Sequence, residues 1–161
     1  MKLHEIMTSP YDYKLKTYDG NGEATFTNAE GHVISVGIAV NDVEDDNGDP
    51  VYKAVEVGFD RDGEYLMTGE GDAARIFATV IAIIKEFAAK YSPDMIFFSS
   101  RKTEGSRTKF YKSLIKRFSS GSGYDEHDIS KAAPELDDYI KNKIRTKIKD
   151  EIIYVVKSGL K

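Results

Sequence analysis

Apolar and polar residues alternate in the first third of the chain, in short runs that turn residues separate. Glu23 to Thr27 alternates strictly, and a longer apolar run extends from His32 to Val40. A third run, Val51 to Asp60, places Val55, Val57 and Phe59 on one face. Gly, Asn and Asp cluster between the runs, which is typical of turns between strands. The pattern predicts an antiparallel meander of these runs.

Helical spacing replaces alternation after residue 72. Ala73 to Tyr91 is rich in Ala, Ile and Phe, contains no breaker, and is apolar on nearly every side of the predicted helix. Ser92-Pro93-Asp94 ends it, and Met95 to Phe98 is a short apolar run of the kind found in buried, often parallel, strands. A helix followed by such a strand predicts a crossover connection.

The last third predicts two more helices and a strand. A polar loop, Ser99 to Ser106, precedes a helix from Arg107 to Phe118, which residues 119–123 break. Another amphipathic helix is predicted over 135–149, and Ile152 to Val156 is predicted to close the chain as a strand. The expected fold is α/β (α+β): a meander, helix, parallel strand and helix, then a C-terminal helix and strand, in a single domain spanning residues 1–161.

Composition narrows the class of protein. With 161 residues, 40% hydrophobic and 31% charged, the chain fits one soluble domain. The absence of cysteine excludes disulfides, thiolate nucleophiles and Cys-zinc sites. No apolar run approaches the ~18 residues of a membrane span, and the first residues do not resemble a signal peptide. We therefore expect a cytoplasmic protein with no membrane partner.

The net charge of -4 conceals an asymmetry along the chain. Residues 1–72 carry 5 Lys and Arg against 16 Asp and Glu, whereas residues 73–161 carry 18 against 11. The C-terminal part is therefore expected to attract an anionic ligand, and the acidic part is expected to repel nucleic acid and membrane surfaces.

A candidate anion site lies at the start of the long helix. Glycines at Gly69 and Gly71 let backbone N–H groups of Gly69, Glu70, Gly71, Asp72 and Ala73 approach a phosphate, and a helix N-terminus favours negative charge. The alternative is that the glycines only make a turn and Asp72 caps the helix. The carboxylates of Glu70 and Asp72 argue against a polyphosphate because they would repel it.

A cationic stretch surrounds the second helix. Its members are Arg101, Lys102, Arg107, Lys109, Lys112, Lys116 and Arg117. A phosphorylated cofactor or a nucleic-acid backbone would fit it, and the alternative is a solvated helix face. Aromatic residues interleave little with these cations, which makes nucleic acid the less favoured partner.

Two side chains are candidates for proton transfer. Tyr111 lies one residue off the apolar stripe of the second helix, where its hydroxyl would reach a cleft and act as an acid. Its alternative is a packed ring whose hydroxyl reaches water. Glu56 alternates opposite Val55 and Val57 and is the candidate base. Its alternative is an exposed strand carboxylate.

Several other kinds of site are unsupported. His4, His32 and His127 have no partner at ligand spacing, and neither a Gly-x-Ser-x-Gly nor a Walker sequence occurs. The acidic run from Asp42 to Gly48 does not fit a calcium loop, because its closing position is Lys53. The run is predicted to be a solvated hairpin tip, and no metal site is expected.

The order of elements resembles the GNAT superfamily of N-acetyltransferases. In that family an Arg/Gln-x-x-Gly-x-Gly/Ala loop binds the pyrophosphate of acetyl-CoA, and Leu66-Met67-Thr68-Gly69-Glu70-Gly71 matches its glycines but not its Arg/Gln. A later Asn-x-x-Ala-x-x-x-Tyr pattern corresponds to the run from Glu104 to Tyr111, where the tyrosine matches and Glu104 and Arg107 depart. The likeness covers approximately residues 20–118.

The resemblance implies acetyl transfer from acetyl-CoA to an amine. Backbone groups at Gly69–Ala73 would bind the pyrophosphate, Lys109 and Lys112 the 3′-phosphate, Glu56 would be the base and Tyr111 the acid. Glu70 and Asp72 are alternative bases.

A second likeness points to viruses. Residues 69–80, followed by Ser106 to Tyr111, are similar to small uncharacterised proteins of tailed bacteriophages, which implies a location in the host cytoplasm or the virion. The alternative function is a non-catalytic GNAT-like module that binds a host or virion protein through its acidic part or helix 135–149. Binding of nucleic acid through residues 101–117 is a third hypothesis.

Overall fold

The computed structural model describes residues 9–44, 47–61, 73–100, 105–126 and 151–158. Within those ranges the chain forms nine strands and two helices. The strands are β1 (Lys14–Tyr18), β2 (Asn21–Thr27), β3 (Val33–Val40), β4 (Val43–Glu44), β5 (Pro50–Tyr52), β6 (Ala54–Arg61), β7 (Met95–Ser100), β8 (Tyr124–Asp125) and β9 (Glu151–Lys157). The helices are α1 (Ala73–Tyr91) and α2 (Gly105–Ser119).

Seven strands form one mixed, mostly antiparallel sheet in the order β1-β2-β3-β6-β7-β9-β8, and β4 and β5 form a separate hairpin. The class is therefore mixed α and β, as the sequence predicted. The chain groups into two compact units. Unit 1 comprises Met1–Ala39 and Gly58–Ser92, and unit 2 comprises Val40–Val57 and Pro93–Lys161, so that β6 divides between them.

A tight hairpin opens unit 1. Asp19 and Gly20 have positive φ angles of 48° and 80°, and Tyr18 pairs with Asn21 across this two-residue turn. Two successive positive φ angles are the requirement of a type I′ turn, which matches the twist of the strands it joins. The sequence prediction began the meander at the run from Glu23 to Thr27 and missed β1, so the prediction of three strands was wrong. The alternation of Lys14 to Tyr18 was the available signal.

The buried face of unit 1 follows the predicted alternation. Ala24 and Phe26 of β2, and Ile34, Val36 and Ile38 of β3, are all at most 3% exposed. Antiparallel pairing brings these positions together, since Ala24 lies opposite Val36 and Phe26 opposite Ile34. One face of these two strands is therefore core, and the other is mostly polar or small, with Val33 exposed on it.

The helix α1 has the predicted boundaries. Its innermost stripe is Val80, Ile83, Ile84 and Phe87, each at most 1% exposed. This stripe packs closely on β2 at Gly22, because a Cβ added there would lie 3.0 Å from Phe87 Cδ2 and the ring would have to shift. Ser92 ends the helix with a φ of 49°, and its N–H donates to the Ala88 carbonyl at 2.8 Å.

Unit 2 contains the predicted parallel strand. The first residues of β6 pair in parallel with β7, from Ala54 opposite Met95 to Glu56 opposite Phe97. The closing strand β9 pairs antiparallel with β7 along its whole length and with β8 on its other side. The predicted second helix is confirmed, and its inward residues are Phe110, Tyr111, Leu114, Ile115 and Phe118.

Two strand predictions in unit 2 are corrected. The run Val51 to Asp60 is divided at Lys53 into β5 and β6, because β5 turns back to pair with β4. Strand β8 follows the Gly-Ser break and was not predicted, since two residues are too short for a periodic signal. Residues 47–49, which precede β5, are exposed, as expected of a solvated hairpin tip.

The predicted helix 135–149 lies outside the described residues. Neither α1 nor α2 is long and apolar enough to cross a membrane.

Candidate functional site

The predicted anion site is described only at its last residue. Gly69, Glu70, Gly71 and Asp72 lie outside the described residues, whereas Ala73 begins α1. The first turn of α1 carries no acidic side chain. Its backbone N–H groups have no carbonyl partners within the helix, and this end of the helix dipole is positive.

Arg75 adds a fixed cation to the first turn of α1. Its Cζ lies 3.9 Å from the centre of the Tyr11 ring, and its Nε–H donates to the Ser9 carbonyl at 3.0 Å. The cation–π contact and the hydrogen bond together restrict a long side chain that is otherwise free to rotate. Sequence reasoning missed Arg75, because its position in the helix does not reveal the ring that orients it.

Tyr11 is positioned by α1 and by the turn after β2. Its backbone N–H donates to Thr79 Oγ1 at 2.8 Å, and Thr79 in turn donates to the Arg75 carbonyl at 2.7 Å. The Tyr11 hydroxyl accepts from the Ala29 N–H at 3.1 Å, and its ring stacks on Phe26 with centroids 5.8 Å apart. Thr79 is fully buried, and these two bonds satisfy its hydroxyl.

Glu56 lies where its strand pairs with β7. It is half-buried between the buried residues Val55 and Val57, and it points to the opposite face from them, as the alternation predicted. The start of this strand is held from the other side, because Asp42 Oδ1 accepts from the Ala54 N–H at 3.2 Å and the Asn41 N–H donates to the Ala54 carbonyl at 2.8 Å. The Glu56 backbone is therefore well fixed.

Tyr111 packs in the core of unit 2. The residue is 2% exposed, and its ring lies 4.8 Å from Phe98 and 6.2 Å from Phe110, centre to centre. The sequence left open a cleft-facing hydroxyl and a packed ring that reaches water. The observed burial favours packing, and it leaves the hydroxyl less exposed than either interpretation expected.

The two proton-transfer candidates lie on opposite faces of β7. Glu56 pairs with Phe97, so their side chains share a face, whereas Tyr111 stacks on Phe98. Successive strand residues point to opposite faces. The arrangement therefore separates Glu56 from Tyr111 by the thickness of the sheet, although both adjoin the same segment of β7.

The two lysines predicted to bind phosphate lie on the outer face of α2. Lys109 and Lys112 are exposed, and Lys116 continues their stripe at helical spacing. The helix contains no acidic residue. Apart from Ser113, the exposed side chains of this face between Lys109 and Arg117 are cations, and the face points away from the buried stripe on which Tyr111 lies.

Another buried tyrosine, Tyr124, was also missed by sequence reasoning. Its hydroxyl donates to the Pro93 carbonyl at 2.5 Å, and its ring lies 5.6 Å from that of Phe118. Burial and the nearby carboxylate of Asp94 raise the pKa of Tyr124 from 10.0 to about 12. Asp94 Oδ2 itself accepts from the Lys53 N–H at 2.9 Å. A hydroxyl bound to a backbone carbonyl and held neutral indicates a structural role.

The described ranges contain no group of three or more His, Asp or Glu side chains that would hold a metal ion. His32 Nε2 lies 3.7 Å from Glu30 Oε2 at the turn between β2 and β3, where both side chains are exposed to solvent. The nearby Asn28 is buried, and its Oδ1 accepts from the N–H groups of Glu30 and His32, so this cluster shapes a turn.

The model of a family of unknown function, DUF6934, matches residues 57–125. This segment is less than half of the chain and extends from β6 through α1, β7 and α2 to β8. It contains every predicted site residue except Glu56. None of the curated proteins matches the chain.

Proposed function

We propose that this chain is an acyltransferase of the GNAT type, which transfers an acetyl group from acetyl-CoA to an amine. The observation that carries the proposal is the parallel pairing of β6 with β7, joined by α1. The pairs β1–β2, β2–β3 and β7–β9 are antiparallel. This succession of antiparallel strands, helix, parallel strand, helix and closing strand is the order on which the resemblance depends.

The proposed pyrophosphate site is formed by Gly69–Asp72 and the first turn of α1. Backbone N–H groups from Gly69 to Ala73 bind the phosphates, and the helix dipole favours their charge. The guanidinium of Arg75, held against Tyr11, supplies a cation that the sequence motif lacks at its Arg/Gln position. Lys109 and Lys112 are proposed to bind the 3′-phosphate, which is supported by their exposure on a cationic face.

In the proposed reaction, the acceptor nitrogen attacks the thioester carbonyl carbon. Glu56 removes the proton of the amine, the carbon–sulfur bond breaks, and coenzyme A leaves as a thiolate. A thiol has a pKa of about 8.5, so water protonates most of the thiolate at pH 7. The reaction therefore requires no second side chain on the face of β7 that Glu56 occupies. The acid role predicted for Tyr111 is a separate hypothesis.

The first test is isothermal titration with acetyl-CoA and with desulfo-CoA. We expect binding with Kd of about 1 μM, or roughly -8 kcal/mol. Gly71→Glu should weaken it at least tenfold by placing a carboxylate beside the phosphates. The matched control is Gly37→Glu in β3, where an added Cβ meets no atom within 4 Å. Absence of heat with both ligands would contradict the proposal.

The second test measures release of the coenzyme A thiol with a panel of primary amines. Glu56→Gln keeps the size of the side chain but removes the base, and turnover should fall about 100-fold or more. Tyr111→Phe distinguishes the two roles of that tyrosine. A similar fall in turnover at unchanged thermal stability would support the acid role, whereas unchanged turnover would make Tyr111 a packing residue.

A non-catalytic GNAT-like module that binds a host or virion protein is the second candidate. The observation that favours it is the separation of Glu56 and Tyr111 on opposite faces of β7, together with the burial of Tyr111. Under this hypothesis neither acetyl-CoA nor desulfo-CoA shifts the melting temperature, and the chain co-purifies with one defined protein. A saturable shift with acetyl-CoA would contradict it.

A further inference from the structure

The β4–β5 hairpin has surface features that the proposed function does not use. Five acidic residues lie between Asn41 and Pro50, and among those described Glu44 and Asp49 are exposed. Val40 at the end of β3 and Val51 within β5 are 41% and 44% exposed. Exposed apolar side chains beside charges are typical of protein interfaces. A small cation would bind only the carboxylates, so the two valines favour a protein partner.

The outer face of α2 is the complementary surface. Lys109, Lys112 and Lys116 are exposed at spacings of three and four residues, so they form one stripe about 10 Å long. Arg117 is exposed beside them, and the helix contains no acidic residue. The aliphatic stems of such side chains cover apolar groups while their charged ends pair with carboxylates. This stripe therefore suits a partner that is both acidic and partly apolar.

We propose that the β4–β5 hairpin of one copy of this chain docks on the basic face of α2 in a second copy. Charge complementarity between the two surfaces selects this occupant. The hairpin and the helix are different surfaces, so the contact is heterologous, and each added copy leaves one of each surface open. The average mass should therefore rise continuously with protein concentration.

Dependence on salt separates this contact from one driven by apolar surface alone. The whole chain carries a net charge of -4, so copies repel each other unless complementary surfaces face. The Debye length falls from about 30 Å at 0.01 M salt to about 8 Å at 0.15 M. Sedimentation velocity should show association at 0.01–0.02 M salt that is lost near 0.3 M. Association that strengthens with salt would overturn the proposal.

Charge reversal on each surface tests the pairing directly. Lys109→Glu, Lys112→Glu and Lys116→Glu together outnumber the two arginines of α2, so both surfaces become acidic. Glu44→Lys, Asp45→Lys, Asp46→Lys and Asp49→Lys together leave Asp42 as the one carboxylate between Asn41 and Pro50, so both surfaces become basic. Each variant alone should sediment as a monomer at low salt. The matched control for the helix variant is Lys14→Glu with Lys16→Glu and Lys85→Glu, at exposed positions of β1 and α1, which changes the net charge as much as the helix variant does and should associate as the wild type does.

Mixing the two reversed variants is the decisive measurement. A basic hairpin then meets an acidic helix, so the mixture should associate at least tenfold more tightly than either variant alone. Circular dichroism checks that both variants are folded, and recovery in the mixture excludes misfolding as the cause of their loss. A wild-type monomer at all salt concentrations, or variants that associate unchanged, would overturn the proposal. Lys109 and Lys112 are also the residues proposed to bind the 3′-phosphate, but the experiment contains no coenzyme A, so its result does not depend on the proposed function.

Discussion

Unit 1 and unit 2 each contain a buried tyrosine that joins distant segments, and the two use their hydroxyls in opposite ways. The Tyr11 hydroxyl accepts a hydrogen bond from the Ala29 N–H, whereas the Tyr124 hydroxyl donates one to the Pro93 carbonyl. A donor is lost when the phenol ionises, and an acceptor is not. Burial of a tyrosine therefore does not identify its role. The group that its hydroxyl contacts decides how removal or ionisation of that hydroxyl changes the stability of the protein.

The largest expected effect comes from removing either ring. Tyr11→Ala removes the stack on Phe26 and the support of Arg75, and Tyr124→Ala removes the contact with Phe118. Each variant should lose about 3 kcal/mol or more of unfolding free energy, since truncating a buried aromatic leaves a cavity. Urea unfolding followed by circular dichroism is suitable because the chain contains no Trp. A loss below about 1 kcal/mol would show that the ring is not part of the core.

The next effect is the contribution of Tyr124 to the pH dependence of stability. Because burial and Asp94 raise the pKa of Tyr124 from 10.0 to about 12, the unfolded chain loses this proton first. The contribution is fully present below pH 10 and is lost as the pH rises toward 12. We expect Tyr124→Phe to remove about 2 kcal/mol of the alkaline loss of stability.

Tyr13 is the control for this pH dependence in unit 1. Burial and the nearby Glu86 raise its pKa in the same direction. Tyr13→Phe should therefore remove a smaller part of the alkaline loss. Tyr124→Phe could leave the fall in unfolding free energy above pH 10 unchanged while Tyr13→Phe abolishes it. That result would show that Tyr124 is not the group responsible for the alkaline loss of stability.

Loss of each hydroxyl alone should have a smaller effect at neutral pH. Tyr124→Phe leaves a buried carbonyl at Pro93 without its donor and should cost about 2 kcal/mol. Tyr11→Phe leaves the Ala29 N–H, which is only partly buried, so water replaces the lost acceptor and the cost should be about 1 kcal/mol. Chemical denaturation at pH 7 measures both. Equal losses of unfolding free energy in Tyr124→Phe and Tyr11→Phe would contradict the distinction between the donated and the accepted hydrogen bond.

The smallest effect concerns the cation above Tyr11. Arg75→Met keeps an aliphatic chain against the ring but removes the charge and the bond to Ser9, which should cost about 0.5–1 kcal/mol. Lys85→Met, at an exposed position of the same helix, is the matched control and should change stability by less than about 0.5 kcal/mol. If both variants lost the same stability, the contact with Tyr11 would contribute nothing specific.

Long periodic segments were predictable, and short paired ones were not. The apolar stripe of α1 and the run at β7 gave these elements correct positions, because many residues repeat one pattern there. Strand β1 alternates over only five residues, two of them lysine, and β8 has two residues. Such strands exist because a neighbouring strand pairs with them, and their own composition does not require it.

The candidate site shows the same division. Alternation sufficed to place Glu56 on the face opposite Val55 and Val57, and helical spacing put Lys109 and Lys112 on an outer face. The burial of Tyr111 was not predictable, because one helical position separates a cleft from the core and the contact of its ring with Phe98 depends on a distant strand. The pairing of β6 with β7, which separates Glu56 from Tyr111, joins residues some forty positions apart in the chain.

The sequence by itself determined the class of fold, the order of the main elements and the cationic character of α2, since these depend on local period and composition. Tertiary structure alone decided which tyrosine hydroxyls bond to distant segments and which cation lies at the start of α1. It also decided which faces of β7 the predicted acid and base occupy. The physical reason is that hydrogen-bond direction, ring contacts and strand register depend on partners far away in the chain. A residue's own pattern constrains only the face on which it lies.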